Sequence, residues 1–217
     1  MTLTSLFLDM QDKNVLIVGT GEVGIRRSRR FLDTQANVYI ITKHIDPQIK
    51  DEFIKKGAKF YDNTHLDSLI KKCDLIVAAT NDTQLNDEIA KKAQDKLINC
   101  ASNIELSNVI IPSTFKIGDV TVSLYTGSKS PLMAKKLRKK IQQTITTKDI
   151  LNIKLQENIR NTLKETIPQQ QDRKKFMKQI TTNPEIQKYL DENNLQKAEE
   201  KSYELLKEYK TTKLEIV

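Results

Sequence analysis

The sequence predicts an α/β fold in which a parallel sheet wound with helices is followed by a small two-stranded segment and an all-helical region. Three observations carry this. Val15-Leu16-Ile17-Val18 is an unbroken apolar run that reads as a strand buried on both faces. It leads directly into Gly19, Gly21 and Gly24 at G-x-G-x-x-G spacing, the turn that joins a strand to a helix around a pyrophosphate. Residues 149–217 hold no glycine and place apolar side chains at helical intervals.

Before the first strand, Leu6-Phe7-Leu8-Asp9-Met10 predicts a short strand or strap. Within the glycine turn, Gly19 allows the tight exit from the strand, Gly21 removes a side chain from the path of a pyrophosphate, and Gly24 lets the helix sit close to the sheet. Backbone N–H groups of Glu22, Val23 and Gly24 would then face the phosphates. The same spacing also suits a plain strand-to-helix turn. The continuation favours the cofactor reading, because helical residues from Glu22 to Asp33 and a second apolar strand from Asn37 to Thr42 complete a βαβ unit. No Asp or Glu ends this second strand, where a carboxylate commonly holds the adenosine ribose about 20 residues beyond the glycines. Thr42, Lys43 and His44 stand there instead. They are candidates to bind ribose by hydroxyl or imidazole, or a 2′-phosphate through Lys43, so NAD and NADP both stay open.

The next helix is expected over Asp46 to Lys56, with Ile49, Phe53 and Ile54 on its apolar side and Gly57 as its stop. Lys59-Phe60-Tyr61 reads as a third strand, and Leu66, Leu69 and Ile70 as a short helix closed before Cys73. Asp74 to Ala79 is a further apolar strand that delivers Thr80, Asn81 and Asp82 to its C-terminal end, the side on which open α/β sheets bind ligands. Thr80 and Asn81 are therefore cofactor candidates, while Asn81 or Asp82 also suits the N-cap of a helix running to Gln94. Lys96 to Ala101 forms the fifth strand, and Asn99 to Asn108 the loop at its end.

The character changes after Val109-Ile110-Ile111-Pro112. Phe115 to Tyr125 reads as two strands around Gly118-Asp119, with Val120, Val122 and Leu124 alternating. Ser130-Pro131 is an N-cap followed by proline at the first helical position. Around that helix Lys129, Lys135, Lys136, Arg138, Lys139 and Lys140 follow one another without an acid, which fits either a solvated face or an anion-binding one. Ile150, Ile153, Leu155 and Ile159 open an amphipathic helix. Phe176 and Ile180, then Ala198, Tyr203, Leu205, Leu206 and Tyr209, continue the pattern.

With 217 residues the chain is long enough for a sizeable core, and 38% hydrophobic with 29% charged residues describes a soluble protein. No apolar run approaches the roughly 18 residues of a membrane span, and residues 1–9 lack a secretory pattern, so a cytoplasmic location is expected. Cys73 and Cys100 are expected reduced and buried, and with His44 and His65 as the two imidazoles no zinc spacing exists, so no resident metal is expected. The net charge of +8 is one-sided. Residues 1–113 balance 15 basic against 15 acidic side chains, whereas 114–217 hold 21 basic and 13 acidic ones. Such asymmetry suits an anionic partner: a polycarboxylate, nucleic acid or an anionic surface.

Taken together, Val15 to Gly24 with Arg26-Arg27, Ala78-Ala79-Thr80-Asn81-Asp82, Asn99-Cys100-Ala101-Ser102 leading to Ile111-Pro112-Ser113, Thr126 to Pro131, and Asp172 to Phe176 resemble the precorrin-2 dehydrogenase family, the module that also opens siroheme synthases. The resemblance spans nearly the whole chain. It implies a Rossmann-type parallel sheet domain that binds NAD over residues 1–113, a dimerisation segment over 114–148 and an all-α C-terminal domain over 149–217. It also implies NAD-dependent oxidation of precorrin-2, a ring bearing eight carboxylates, to sirohydrochlorin on the way to siroheme. A homodimer is expected independently, because the segment 114–145 is too small to form a core alone.

Many family members carry Asp at the position of Ser102, where the carboxylate is held to serve dehydrogenation or iron insertion. A neutral hydroxyl is a poor general base and a poor ligand for Fe²⁺. Ser102 is therefore the catalytic candidate, either orienting substrate or relaying a proton through water, or else simply capping a loop turn. Iron insertion is expected to fall to a separate chelatase. Ser128 and Lys129 are substrate-contact candidates. Two other classes remain: an NAD-binding redox regulator whose basic tail contacts nucleic acid, disfavoured by the lack of helix-turn-helix spacing, and a dehydrogenase of another small acid.

Overall fold

The computed structural model describes residues 2–214, and the chain folds as two compact units, Met1–Ile111 and Pro112–Val217. The first is a parallel sheet wound with helices. Its strands are β1 (Asn14–Val18), β2 (Asn37–Ile41), β3 (Lys59–Tyr61), β4 (Leu75–Ala78) and β5 (Leu97–Cys100), in the spatial order β3-β2-β1-β4-β5 with every pair parallel. Strand order reverses beside β1, which lies between β2 and β4. This is the switch point at which such sheets leave a crevice above their C-terminal edge.

Both faces of the sheet are covered, which is why these strands read as unbroken apolar runs. On one face Val15, Ile17, Val38, Ile40, Leu75 and Val77 pack with Phe31 and Leu32 of α1 (Glu22–Leu32) and Phe53 of α2 (Pro47–Lys55). On the other, Leu16, Val18, Tyr39, Ile41, Ile76, Ala78 and Ile98 meet Leu69 and Ile70 of α3 (Leu66–Lys72) and Ile89 and Ala90 of α4 (Thr83–Lys92). Asp46 and Asp82 cap α2 and α4, accepting backbone N–H bonds from Gln48 and Ile49 and from Leu85. Gly57 ends the α2 region at φ +91, a backbone conformation that glycine adopts without strain. Cys73 and Cys100 are free thiols in this core, and burial pushes the Cys73 thiol up to about 11.

Of the strand or strap expected before β1, the strand alternative needs correction. Residues 6–10 form no strand. Both neighbours of β1 are already occupied, and the chain turns at Asp9, whose carboxylate accepts the Gln11 N–H, and at Asp12, which has φ +59. Only Met10 of this stretch packs on the core, while Leu6 and Phe7 stay about three-quarters exposed. The short helix expected at Leu66, Leu69 and Ile70 and closed before Cys73 is α3, and a turn of 3₁₀ helix, Asn63–His65, precedes it. There Asp62 accepts bonds from Thr64 and His65, which hold its carboxyl below the usual range.

The second unit begins with an antiparallel hairpin of β6 (Ser113–Ile117) and β7 (Val120–Leu124) turning at Gly118. Ser130 caps α5 (Pro131–Thr144) through the Met133 N–H, and Arg138 lies over the Phe115 ring at 5.3 Å. Helices α6 (Thr147–Thr166), α7 (Gln170–Thr182), α8 (Pro184–Asp191) and α9 (Leu195–Leu214) close around Leu155, Ile159, Leu163, Phe176, Ile180, Ile186, Leu190 and Leu206. In α6 the apolar stripe runs at four-residue steps from Leu155. Ile153, expected on it, lies about 200° round from Leu155 and is 38% exposed. Tyr203 of α9 lies likewise at the surface. An expected boundary at 113/114 would cut β6, and one at 148/149 falls at the first turn of α6.

Candidate cofactor site

The exits of β1, β2 and β4 meet around a cavity of about 350 Å³. Val18, Ile41 and Ala79 form its floor. Its rim carries Gly19, Thr20 and Gly21 from the first turn, Thr42, Lys43 and His44 from the second, and Thr80, Asn81, Asp82 and Leu85 from the third, with Asn63 from the segment after β3. Seven sequence candidates therefore come together: Gly19, Gly21, Thr42, Lys43, His44, Thr80 and Asn81. Glu22, Val23 and Gly24 lie behind Gly21 in the first turn of α1, outside the lining itself.

The glycines divide the work as steric geometry demands. A Cβ on Gly19, at φ +96, would stand 2.4 Å from the Ala79 carbonyl oxygen, so the β1 and β4 exits touch only because that position has none. A Cβ on Gly24 would lie 2.0 Å from the Gly19 carbonyl oxygen, which fixes how closely α1 sits on the turn. A Cβ on Gly21 would meet nothing closer than Asn81 Oδ1 at 3.8 Å. The protein leaves that space open. Gly21 is also the N-cap of α1 and supplies no side-chain cap to the first-turn N–H groups. An open cradle before an uncapped helix N-terminus fits a dinucleotide pyrophosphate.

The β2 side of the cavity is closed by neutral groups. The Thr20 and Thr42 hydroxyls lie 2.6 Å apart, and both reach the His44 carbonyl, at 2.7 and 2.9 Å. Thr42, the candidate to bind ribose through its hydroxyl, donates within this knot, and its oxygen keeps acceptor capacity towards the cavity. Lys43 and His44 project from it as exposed residues.

The β4 side is organised by a residue that strand-end logic does not reach. Asn86, on the fourth position of α4, is 0% exposed. Its Oδ1 accepts the Thr80 N–H at 3.0 Å and the Thr80 hydroxyl at 2.7 Å. Its Nδ2 donates to the Thr80 carbonyl at 3.0 Å and to Ser102 Oγ at 3.2 Å. One amide thus ties the cavity wall to the catalytic candidate. Ser102 also lies 3.5 Å from the Cys100 thiol and makes no turn cap; Asn103 caps the following 3₁₀ turn, and Ser107 serves the Cys100 N–H. Nearby on α1, burial and the charge of Arg26 lower the Arg27 guanidinium to about 10, so it stays cationic at neutral pH.

Ser128 and Lys129 belong to the other unit, in the turn before α5. Ser128 holds φ +59, its hydroxyl 3.3 Å from that of Tyr125, and the Lys129 N–H donates to the Thr126 carbonyl. Among the described residues no three His, Cys, Asp or Glu side chains gather as metal ligands, and no helix is long and apolar enough to cross a membrane.

A family model described as "Putative NAD(P)-binding" matches residues 6–113. A Methanocaldococcus jannaschii protein named "Putative precorrin-2 dehydrogenase" is 34% identical over 195 residues, covering 85% of this chain and 93% of that one. The Bacillus subtilis precorrin-2 dehydrogenase is 31% identical over 141 residues, covering 64% of this chain and 87% of its own. The siroheme synthase of Buchnera aphidicola is 31% identical over 154 residues that make up 32% of its length. Among solved structures, SirC, a precorrin-2 dehydrogenase, matches with a TM-score of 0.74 at 20% identity, over 93% of this chain and all of that one. That match shows the same fold.

Proposed function

The chain belongs to the precorrin-2 dehydrogenase family, and we propose that it oxidises precorrin-2 to sirohydrochlorin with NAD⁺ as the hydride acceptor. The observation that carries the reading is the open cradle at Gly21, set before an uncapped helix and walled by the Asn86 network that ends on Ser102. NAD⁺, when bound, supplies the nicotinamide carbon that takes a hydride from the substrate. The protein's part is mainly placement. Gly19 brings the β1 and β4 exits together, the first turn of α1 would hold the pyrophosphate, and Thr80 and Asn81 would line the wall beside it.

Ser102 is the proposed group for orienting the substrate or passing one proton to water. With Asn86 Nδ2 donating to its oxygen, the Ser102 hydroxyl is left as a hydrogen-bond donor to a substrate atom or a water. Ser102→Ala is expected to lower kcat about tenfold while the NAD⁺ dissociation constant, measured by calorimetry, stays within about twofold. An unchanged kcat would return Ser102 to a structural part of the loop.

Ser128, Lys129 and the cations of α5 are the proposed anchors for substrate carboxylates. Lys135, Lys136, Lys139 and Lys140 make no ion pair among the described residues, which suits an anionic partner. The proposal includes a homodimer joined through residues 114–148, a cytoplasmic location and a separate chelatase. Ser102 offers Fe²⁺ a hydroxyl where a carboxylate would bind it well.

The test is anaerobic mixing of the purified protein with enzymatically generated precorrin-2 and NAD⁺, followed by absorbance. Equal amounts of NADH and sirohydrochlorin are expected, and adding Fe²⁺ is expected to give siroheme no faster than the metal alone. NAD⁺ binding without either product would turn the reading towards an NAD-sensing regulator, for which a gel shift with DNA at moderate salt is the direct assay.

A further inference from the structure

Resting on the cofactor reading above, we infer that the cavity accepts the 2′-phosphorylated dinucleotide NADP⁺ alongside NAD⁺, with Lys43 as the residue that receives the additional phosphate. A dinucleotide site rejects a 2′-phosphate by placing a group that repels it where that phosphate would lie. A carboxylate at the end of β2 both accepts bonds from the ribose 2′-hydroxyl and repels a phosphate in its place. Here that position is filled by the knot of Thr20 Oγ1, Thr42 Oγ1 and the His44 carbonyl, with separations of 2.6 to 2.9 Å. Each hydroxyl proton is used within the knot, and no charge in it repels an anion.

The charged groups along the cavity are few. Asp82 is the sole acid in the lining; it sits at the opposite, β4 side, accepting the Leu85 N–H as the cap of α4. Asp62 precedes the lining residue Asn63, and its carboxylate is turned to Thr64 and His65. Asp46 follows the β2 exit, and its carboxylate is spent on the Gln48 and Ile49 N–H groups. Lys43 lies between these on the rim, exposed and without an ion pair among the described residues. A four-carbon stem with an unpaired ammonium at the rim of an uncharged ribose wall suits a phosphate dianion as a point charge.

Calorimetric titration of the wild type and Lys43→Ala with NAD⁺, NADP⁺, 5′-AMP and 2′,5′-ADP tests this without any turnover. NADP⁺ is expected to bind within about tenfold of NAD⁺, and 2′,5′-ADP at least as tightly as 5′-AMP. In Lys43→Ala the NADP⁺ to NAD⁺ affinity ratio is expected to fall at least fivefold. Raising the salt concentration should weaken 2′,5′-ADP more than 5′-AMP. Binding of NAD⁺ with NADP⁺ more than a hundredfold weaker, or an equal loss of both in Lys43→Ala, would overturn the inference and leave the dehydrogenase reading standing. Failure of all four to bind would overturn both.

Discussion

Gly19→Ala is expected to destabilise the first unit by about 3 kcal/mol or more and to abolish measurable dinucleotide binding. Two costs add. A side chain at φ +96 carries backbone strain of order 1–3 kcal/mol, and a Cβ there would lie 2.4, 2.7 and 2.8 Å from the Ala79 oxygen, the Ala79 carbonyl carbon and Thr80 Cα. These are backbone atoms. They can move only by pulling β4 from β1, where the Ala79 N–H donates to the Val18 carbonyl at 2.8 Å. At this chain length such a loss lowers Tm by roughly 6–12 °C, readable by circular dichroism. Gly21→Ala is the control that separates stability from binding. Its φ of −68 suits any residue and its Cβ meets nothing within 3.8 Å, so Tm should stay within about 2 °C. The added methyl would instead enter the space before the α1 N-terminus, and NAD⁺ affinity should fall at least tenfold. Undiminished affinity in Gly21→Ala would mean that the pyrophosphate lies elsewhere.

What could be read from the sequence follows from the range over which each feature is determined. β1, β2 and β4 are legible because a strand covered on both faces announces itself as an apolar run, and the residues just beyond such a run must lie at the sheet's C-terminal edge. Gly19, Gly21, Lys43, His44, Thr80 and Asn81 come to the cavity by that reasoning alone. Thr20 lies between those two glycines and comes with them, but its hydroxyl bond across to Thr42 is a tertiary contact with no local signal; Asn63 is not reached at all, because an irregular turn after β3 places it. The N-terminal apolar stretch looks like a strand, yet strand formation needs a free partner edge, and β1 has none to offer. Ile153 reads with Ile150, Leu155 and Ile159 as one amphipathic pattern, whereas helix phase is set by the longer stripe through Leu155, Ile159 and Leu163. Asn86 did carry a signal. It shares the i, i+3, i+4, i+7 row with Ile89, Ala90 and Ala93, all buried, and a polar residue on an apolar stripe must find partners inside.

Those partners make Asn86→Ala the second large effect. Truncation leaves the Thr80 N–H and carbonyl without their amide partners in a part-buried turn, at about 1–3 kcal/mol for each group left unsatisfied. A total near 2–4 kcal/mol is expected, seen as a Tm lower by roughly 4–16 °C. The effect on catalysis should exceed what stability explains, because the lost Nδ2 also donates to Ser102 Oγ. At a temperature where each variant is folded, Asn86→Ala is expected to lower kcat about as much as Ser102→Ala, and to weaken NAD⁺ binding in addition through the loosened Thr80 wall. The double variant decides whether Asn86 acts through Ser102. If it does, the second substitution should cost little kcat once the first has been made, since both break the same bond. Fully additive losses in kcat would show that Asn86 supports the fold of the wall alone and that Ser102 is positioned by other groups, with the Cys100 thiol at 3.5 Å the next one to change.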